Sequence, residues 1–371
     1  MKKTNKTQIL SLLLLLTICS ISVFAKSKRK AFKPSFDYYA ILDFETTYND
    51  NVSLYTQKNI DDFESGENAY RYGIDTYDDL IVSPTFKLYL VQDFTKFYEA
   101  KLRLRGTFNN FVKNSSVKNY QSYEVKLYNK FDKKYNLNLA YNYIPKFYVR
   151  DVWDNETRAA INPETGVRFT AEESYQEFVF AKQFYTAEIR AKLPYDFDAK
   201  LKYVFTEYFY NEFFTEYDTK IDEFGIGIGY EFAKFDFGID YSFSKSDDKG
   251  DSDSDASYDK DTFDFDVSYQ LRQIPFLRKV SAGYELEKVY YQSDFPAFVD
   301  PLHAGRVDTV HRWKFGLDAR INKDVNVSFD YLFRKRKSKS ESINSVRTEE
   351  LADVKNYKNH QISLTFSYRY N

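Results

Sequence analysis

The chain has 371 residues, with 53 lysines and arginines against 55 aspartates and glutamates and a formal net charge of −2. A single cysteine, Cys19, excludes an internal disulfide and a multi-thiolate metal site, and the near-neutral balance argues against general nucleic-acid binding. Aromatic residues make up 19% of the sequence, nearly all tyrosine and phenylalanine, beside 29% charged residues; a soluble core rarely needs that pairing, whereas a wall with lipid on one face and water on the other does.

The N-terminus predicts export. Lys2, Lys3 and Lys6 precede an apolar run from Ile9 to Leu16, and Val23-Phe24-Ala25 supplies a small-residue cleavage site. The run is too short to span a bilayer, so residues 1–25 are expected to be a cleaved signal peptide. Ile18 is too bulky ahead of Cys19 for a good lipoprotein signal. Cleavage removes Cys19, three lysines and no acid, which takes the net charge from −2 to −5. Residues 26–36 are expected to be a short basic periplasmic leader and residues 37–371 a single unit.

From there the chain alternates with a period of two, the spacing that puts successive side chains on opposite faces of a strand. Leu80, Val82, Phe86, Leu88 and Leu90 share one parity. Tyr98, Ala100, Leu102 and Leu104 alternate with Lys101, Arg103 and Arg105. Phe224, Ile226, Ile228, Tyr230 and Phe232 alternate with Gly225, Gly227, Gly229 and Glu231, and the pattern recurs at Phe235–Phe243, Phe263–Leu271 and Val325–Phe333. About 14 such segments begin near residues 38, 79, 97, 119, 135, 173, 197, 220, 235, 261, 279, 310, 325 and 359, most of a length that spans a bilayer at a tilt. The sixth, Glu173 to Leu193, is longer and predicts a strand rising above the membrane. Short links near 92–95, 132–134, 194–196, 233–234, 272–278 and 322–324 alternate with long polar ones near 49–78, 109–118, 148–172, 211–219, 247–260, 292–309 and 338–358. The expectation is all-β: a single antiparallel transmembrane β-barrel of about 14 strands, with short periplasmic turns and longer external loops.

At the C-terminus Ile362, Leu364, Phe366, Tyr368 and Tyr370 alternate with Ser363, Thr365, Ser367 and Arg369. Here the chain resembles the bacterial outer-membrane β-barrel proteins, porin-like ones among them, whose last strand commonly ends in such a run with a terminal aromatic that the assembly machinery reads. The aromatic is Tyr370, one place short of the terminal Asn371. Tyr48-Asn49-Asp50-Asn51-Val52 also resembles the opening motif of some outer-membrane barrels. The resemblance implies a cell outer-membrane location and partners in membrane lipid and the barrel-assembly machinery.

The opposite parity predicts a charged lumen. Lys87, Lys101, Arg103, Arg105, Lys126 and Lys130 face Glu99 and Glu124 in one group, and Arg312, Lys314, Arg320, Arg334 and Arg336 accompany Asp318 and Asp330 in another. Glu223, Glu231, Asp236, Asp240, Asp264, Asp266, Glu285 and Glu287, with Arg272, form an acidic group. Closing the barrel puts the basic groups about the seam, interrupted by Asp43 and Glu45, and the acidic group roughly opposite. The candidate selectivity residues are Lys101, Arg103, Arg105, Arg312, Lys314, Arg334, Asp240, Asp264, Asp266, Glu285 and Glu287. Such walls either select polar solutes in a channel or pair across a filled interior. The inward Gly225, Gly227 and Gly229 predict either a lumen widened or opened to an infolded loop, or relief of backbone strain at a curved point of the wall.

Other chemistry is weakly signalled. Asp251, Asp253 and Asp255 have calcium-loop spacing, but Ala256 stands where that loop needs glycine and Thr262 where it needs glutamate. His303, His311 and His360 are unclustered in sequence, and no catalytic, phosphate-loop or zinc spacing appears. The expectation is therefore no enzyme, no cofactor and no metal: a porin-like channel for passive diffusion of small hydrophilic solutes. The alternative is a structural or adhesive barrel with a closed lumen and partner-binding loops, for which the Tyr-rich stretches 49–76 and 148–172 are the candidates.

Overall fold

The computed structural model describes residues 33–154, 157, 159–250, 254–271, 274–340 and 354–370. The expected signal peptide, Asp251, Asp253, Arg272 and Asn371 lie outside them. Fourteen antiparallel strands close into one barrel in which each pairs with its sequence neighbours and the last with the first. They are β1 (Ser35–Asn49), β2 (Asp79–Thr95), β3 (Tyr98–Phe111), β4 (Tyr120–Phe131), β5 (Tyr135–Trp153), β6 (Tyr175–Lys192) and β7 (Phe197–Tyr210), followed by β8 (Thr219–Phe232), β9 (Phe235–Asp248), β10 (Tyr258–Gln270), β11 (Leu277–Tyr291), β12 (Arg306–Arg320), β13 (Val325–Ser340) and β14 (Tyr357–Tyr370). The expected starts lie within four residues of these. β1 begins inside the stretch expected to be leader.

The outer face is the lipid-facing parity. Phe44, Ile226 and Ile239 are 51%, 58% and 62% exposed, which is tolerable only against hydrocarbon. Phe97, Tyr135, Phe197, Phe232, Phe235 and Tyr370 ring the periplasmic end. Towards the other end Trp313, Phe333 and His360 stack in series, at 5.2 Å and 4.5 Å between ring centres. His311 and His360 belong to this belt: the Tyr284 Oη lies 2.8 Å from His311 Nδ1, and the Tyr331 Oη 2.8 Å from His360 Nδ1. Such amphipathic rings suit a membrane interface.

Two features depart from simple alternation. β5, not β6, is the longest strand, at 19 residues against 18, and the two remain paired to Trp153↔Tyr175. Residues 148–153, expected in a loop, are therefore strand. Register shifts at Ile144/Phe147 and Tyr148/Arg150 bend it; Pro145, which has no N–H for the ladder, sits in the first.

The second departure is in 49–78, expected to be an extended polar loop. It contains helix α1 (Gln57–Ser65), capped by Thr56, whose Oγ1 accepts the Asn59 N–H at 3.2 Å, and ended by Gly66 at φ 73°. Tyr55, Ile74 and Tyr148 form a small buried core there, flanked by Ile60, Phe63, Tyr72, Tyr77, Val117 and Val179. A short helix α2 (Ser115–Lys118) joins it from the β3–β4 loop. These loops form a packed cap because they carry their own apolar residues.

Candidate functional site

The inner face is lined by the parity opposite to the lipid belt, and its charges meet neighbours on adjoining strands. Lys314 Nζ lies 3.0 Å from Asp264 and 2.9 Å from Glu285. Arg312 pairs with Glu285 and, at 3.3 Å, with Glu287, which Lys260 approaches at 3.8 Å. Asp240 accepts from Lys200 at 2.6 Å and Glu223 from Lys202 at 2.9 Å. A recess of about 310 Å³ opens among these groups. The acidic arc is thus interleaved with Lys200, Lys202 and Lys260, which the sequence reading did not count, and its charge is largely met within the wall. Gly227 makes room for this: a β-carbon there would come within 2.8 Å of Lys200 Cε and strike Asp240. Gly227 therefore gives space to an ion pair, a use that the sequence expectations did not cover, whereas a β-carbon at Gly225 or Gly229 would meet only ordinary contacts at 3.5 Å or more.

On β3, seven strands from β10 in either direction, the basic group is held differently. Arg103 and Arg105 share Glu124, at 2.5 Å and 3.7 Å. Lys101, Arg103 and Lys126 gather about the Tyr128 ring, at 4.7, 5.6 and 4.8 Å from its centre. Lys87 pairs with Asp43 across the β1–β2 ladder. Of the candidate residues, Asp240, Asp264, Asp266, Glu285, Glu287, Arg312 and Lys314 form one patch on β9–β12. Arg334 stands opposite Arg312 in the β12–β13 register, while Lys101, Arg103 and Arg105 belong to the far wall.

A chain segment lies over the lumen at the long-loop end. After β1 the chain turns across the mouth. Asn51 Oδ1 accepts the Tyr55 N–H at 2.7 Å, and its Nδ2 donates to the carbonyls of Tyr55 and Lys358 at 2.8 and 3.0 Å. Asn359 Nδ2 donates to Asn49 Oδ1 at 2.6 Å, and Asp50 and His360 bond through His360 N to Asp50 Oδ1 at 2.7 Å. The Tyr48–Val52 motif is therefore a latch onto β14. The segment then reaches β5, where Arg150 Nη2 donates to the Ser53 carbonyl at 2.8 Å and its guanidinium lies 5.3 Å from the Tyr55 ring centre. A segment touching both β14 and β5, five strands apart in the ring, must cross the opening as a chord.

Cations from nearly opposite walls converge beneath it. Arg150 on β5 lies within electrostatic reach of Arg336 on β13, six strands away by the shorter route. Arg306 binds Asp308 with two donors, at 2.8 and 2.6 Å, and Arg336 approaches the same carboxylate at 3.8 Å. Arg336 Nε donates to the Lys355 carbonyl at 2.8 Å. Tyrosine rings separate the charges: Tyr291 lies 4.0 Å from Arg306, and Tyr357 lies 4.6 Å from Arg336 and 5.3 Å from Arg334. Burial pushes the Lys355 ammonium well below its ordinary pKa, Arg306, Arg336 and Arg150 push the same way, and Asp308 opposes them. Sequence reasoning missed Arg150, Arg306 and Lys355. Arg306 shares the parity of Arg312 and could have been found by extending that strand; the β5 bulges hide Arg150, and Lys355 lies in a loop.

The acidic external stretch serves to dock loops. Asp255 accepts the Asp294 and Ser257 N–H groups at 3.1 and 3.0 Å, and Asp300 accepts from Ser293, from Asp255 N–H and from His303. His303 is thus spent on Asp300 and stands apart from His311 and His360.

A closed antiparallel barrel with an aromatic-edged lipid face and a charged lumen defines an outer-membrane β-barrel protein, and the chain is one. Residues 195–370 match the family model of the outer membrane protein beta-barrel domain. No curated protein matches. Among solved structures, the outer membrane channel DcaP of Acinetobacter baumannii aligns with 12% identity and a TM-score of 0.48, over 94% of this chain and 100% of that one. OmpT of Vibrio cholerae aligns with 9% identity and a TM-score of 0.46, over 92% and 99%. The anion-selective porin from Comamonas acidovorans aligns with 8% identity and a TM-score of 0.42, over 91% and 100%.

Proposed function

We propose that this barrel is a porin-like channel for passive diffusion of small hydrophilic solutes across the outer membrane. The observation that carries the reading is the inner wall itself: ion pairs and tyrosines along the lumen lead to a cationic, aromatic constriction under the cap. Ion pairs on a wall offer a polar solute replacement partners for its water; the candidate residues Lys101, Arg103, Arg105, Arg312, Lys314, Arg334, Asp240, Asp264, Asp266, Glu285 and Glu287 act as electrostatic selectors, and passage involves no chemistry. The β14 alternation ending at Tyr370 serves recognition by the barrel-assembly machinery in this proposal. The chord across the mouth favours a second reading, a barrel with its lumen shut. Liposome swelling separates the two. Proteoliposomes with the mature chain, residues 26–371, should swell in small polar solutes at rates that fall steeply with solute size. Swelling no faster than protein-free liposomes, from a barrel with native heat-modifiable mobility, would establish the shut lumen instead.

A further inference from the structure

We propose that the external constriction is a binding site for a small phosphate-class oxyanion, seated among Arg150, Arg306, Arg336 and Lys355. The first ground is charge. These four cations converge from β5, β12, β13 and the loop before β14, and among the described residues the carboxylate in contact with them is Asp308, with Asp300 also acting on Arg306. Arg306 already occupies both Asp308 oxygens. Arg150 and Arg336 donate to the carbonyls of Ser53 and Lys355, which satisfy hydrogen bonds but do not neutralise charge. Glu285 and Glu287, deeper in the lumen, are engaged by Arg312, Lys314 and Lys260. Mutually repelling cations in a partly enclosed place are costly unless a counter-charge arrives.

The second ground is unspent donors. Arg334 Nε and the Tyr357 hydroxyl are buried without a hydrogen-bonding partner among the described residues. They adjoin the cluster, since the Tyr357 ring lies against both Arg334 and Arg336. Buried donors are normally satisfied. Planar guanidinium forks with hydroxyl and ammonium donors match the several oxygens of a tetrahedral oxyanion better than they match chloride. The site lies on the lumen side, beneath the Asn51–Tyr55 segment, which points to a free solute rather than a phospholipid headgroup at the outer wall.

The site deepens the channel reading, yet its test needs no conduction, so either can fail alone. The mature chain, refolded in phosphate-free neutral detergent, is titrated calorimetrically with inorganic phosphate, and its thermal unfolding is followed with and without phosphate. Saturable binding with a rise in Tm is expected. Lys355→Met should weaken phosphate binding by roughly tenfold or more and should unfold at a higher temperature than the wild type in phosphate-free buffer, because a cation that Arg306, Arg336 and Arg150 repel is gone. Lys355→Gln gives the same comparison should the methionine variant refold poorly. Lys58→Met, on the exposed face of α1, should bind phosphate as the wild type does. No saturable binding by the wild type, or equal phosphate affinity in wild type and both Lys355 variants, would overturn the proposal. Displacement of phosphate by phosphatidylglycerol doped into the micelles would reassign the site to a lipid headgroup and overturn the free-solute assignment.

Discussion

At the scale of single residues, the buried polar side chains are concentrated where the external loops meet the barrel. Asp79 and Asn114 are fully buried, and Asp79 accepts the backbone N–H of Lys113 and Asn114 at 2.9 and 2.8 Å; each anchors a loop to a strand end. Lys118 is the most conditional of these anchors. Its Nζ donates to the Val149 carbonyl at 2.7 Å and lies 4.9 Å from the Tyr148 ring centre, with no carboxylate in contact among the described residues. Burial, reinforced by the Arg150 charge and opposed by Asp151, pushes its pKa down to about 7. In the unfolded chain a lysine titrates near ~10.4. Below about pH 7 both states carry the proton and the fold bears the full cost of the buried charge; between about 7 and 10.4 the unfolded state binds more protons, so stability rises with pH. The wild type should therefore gain stability relative to Lys118→Met between pH 7 and pH 9.5, by up to ~1.4 kcal/mol per pH unit, read as a rise in its Tm against that of the variant. A difference between the two that does not change with pH would contradict this.

At the scale of elements, strands differ in how far alternation describes them. β8 is the plain case: Phe224, Ile226 and Ile228 face lipid, and Gly225, Gly227 and Gly229 face the lumen beside Lys202, Lys200 and Asp198. Ile226, near the middle of β8, should cost ~2–4 kcal/mol when changed to arginine, read as a lower urea midpoint for unfolding from phospholipid bilayers. Ser242 faces the lumen on β9, and Ser242→Arg should cost far less; equal losses would contradict the inside–outside assignment. All fourteen strands were legible in the sequence because lipid on one side and water on the other impose the same period on each. The cap was not. Tyr55, Tyr72, Tyr77 and Tyr148 sit in segments whose composition looks like polar loop, and their burial depends on contacts between separate loops. The tyrosines of 49–76 that suggested an adhesive surface are largely turned into this packing, although Tyr70 stays exposed. β5 was legible only as far as Pro145, beyond which its bulges reset the faces.

At the scale of the whole molecule, the lumen combines two electrostatic regimes. Along the wall, cations and anions on neighbouring strands lie within contact distance, and parity predicted most of them; sequence could not say that Lys200, Lys202 and Lys260 would temper the acidic arc, because that depends on side-chain reach across the ladder. At the mouth, Arg150, Arg306, Arg336 and Lys355 come together from positions spread over half the ring. The β1–β14 seam is central to that arrangement: the Asn49–Asn51 run fixes β14 and sends the chain over the opening, so one short sequence both completes the barrel and narrows it.

The account's central claim is that a polar lumen runs through this barrel and that the cap restricts it. The most direct test compares single-channel conductance in planar bilayers for the mature wild type and a variant in which residues 55–76 are replaced by a short Gly-Ser linker. Small, steady steps from the wild type and several-fold larger steps from the variant are the predicted result. Silence from both, with each barrel folded, would contradict the account and mean that the lumen is filled by its own side chains.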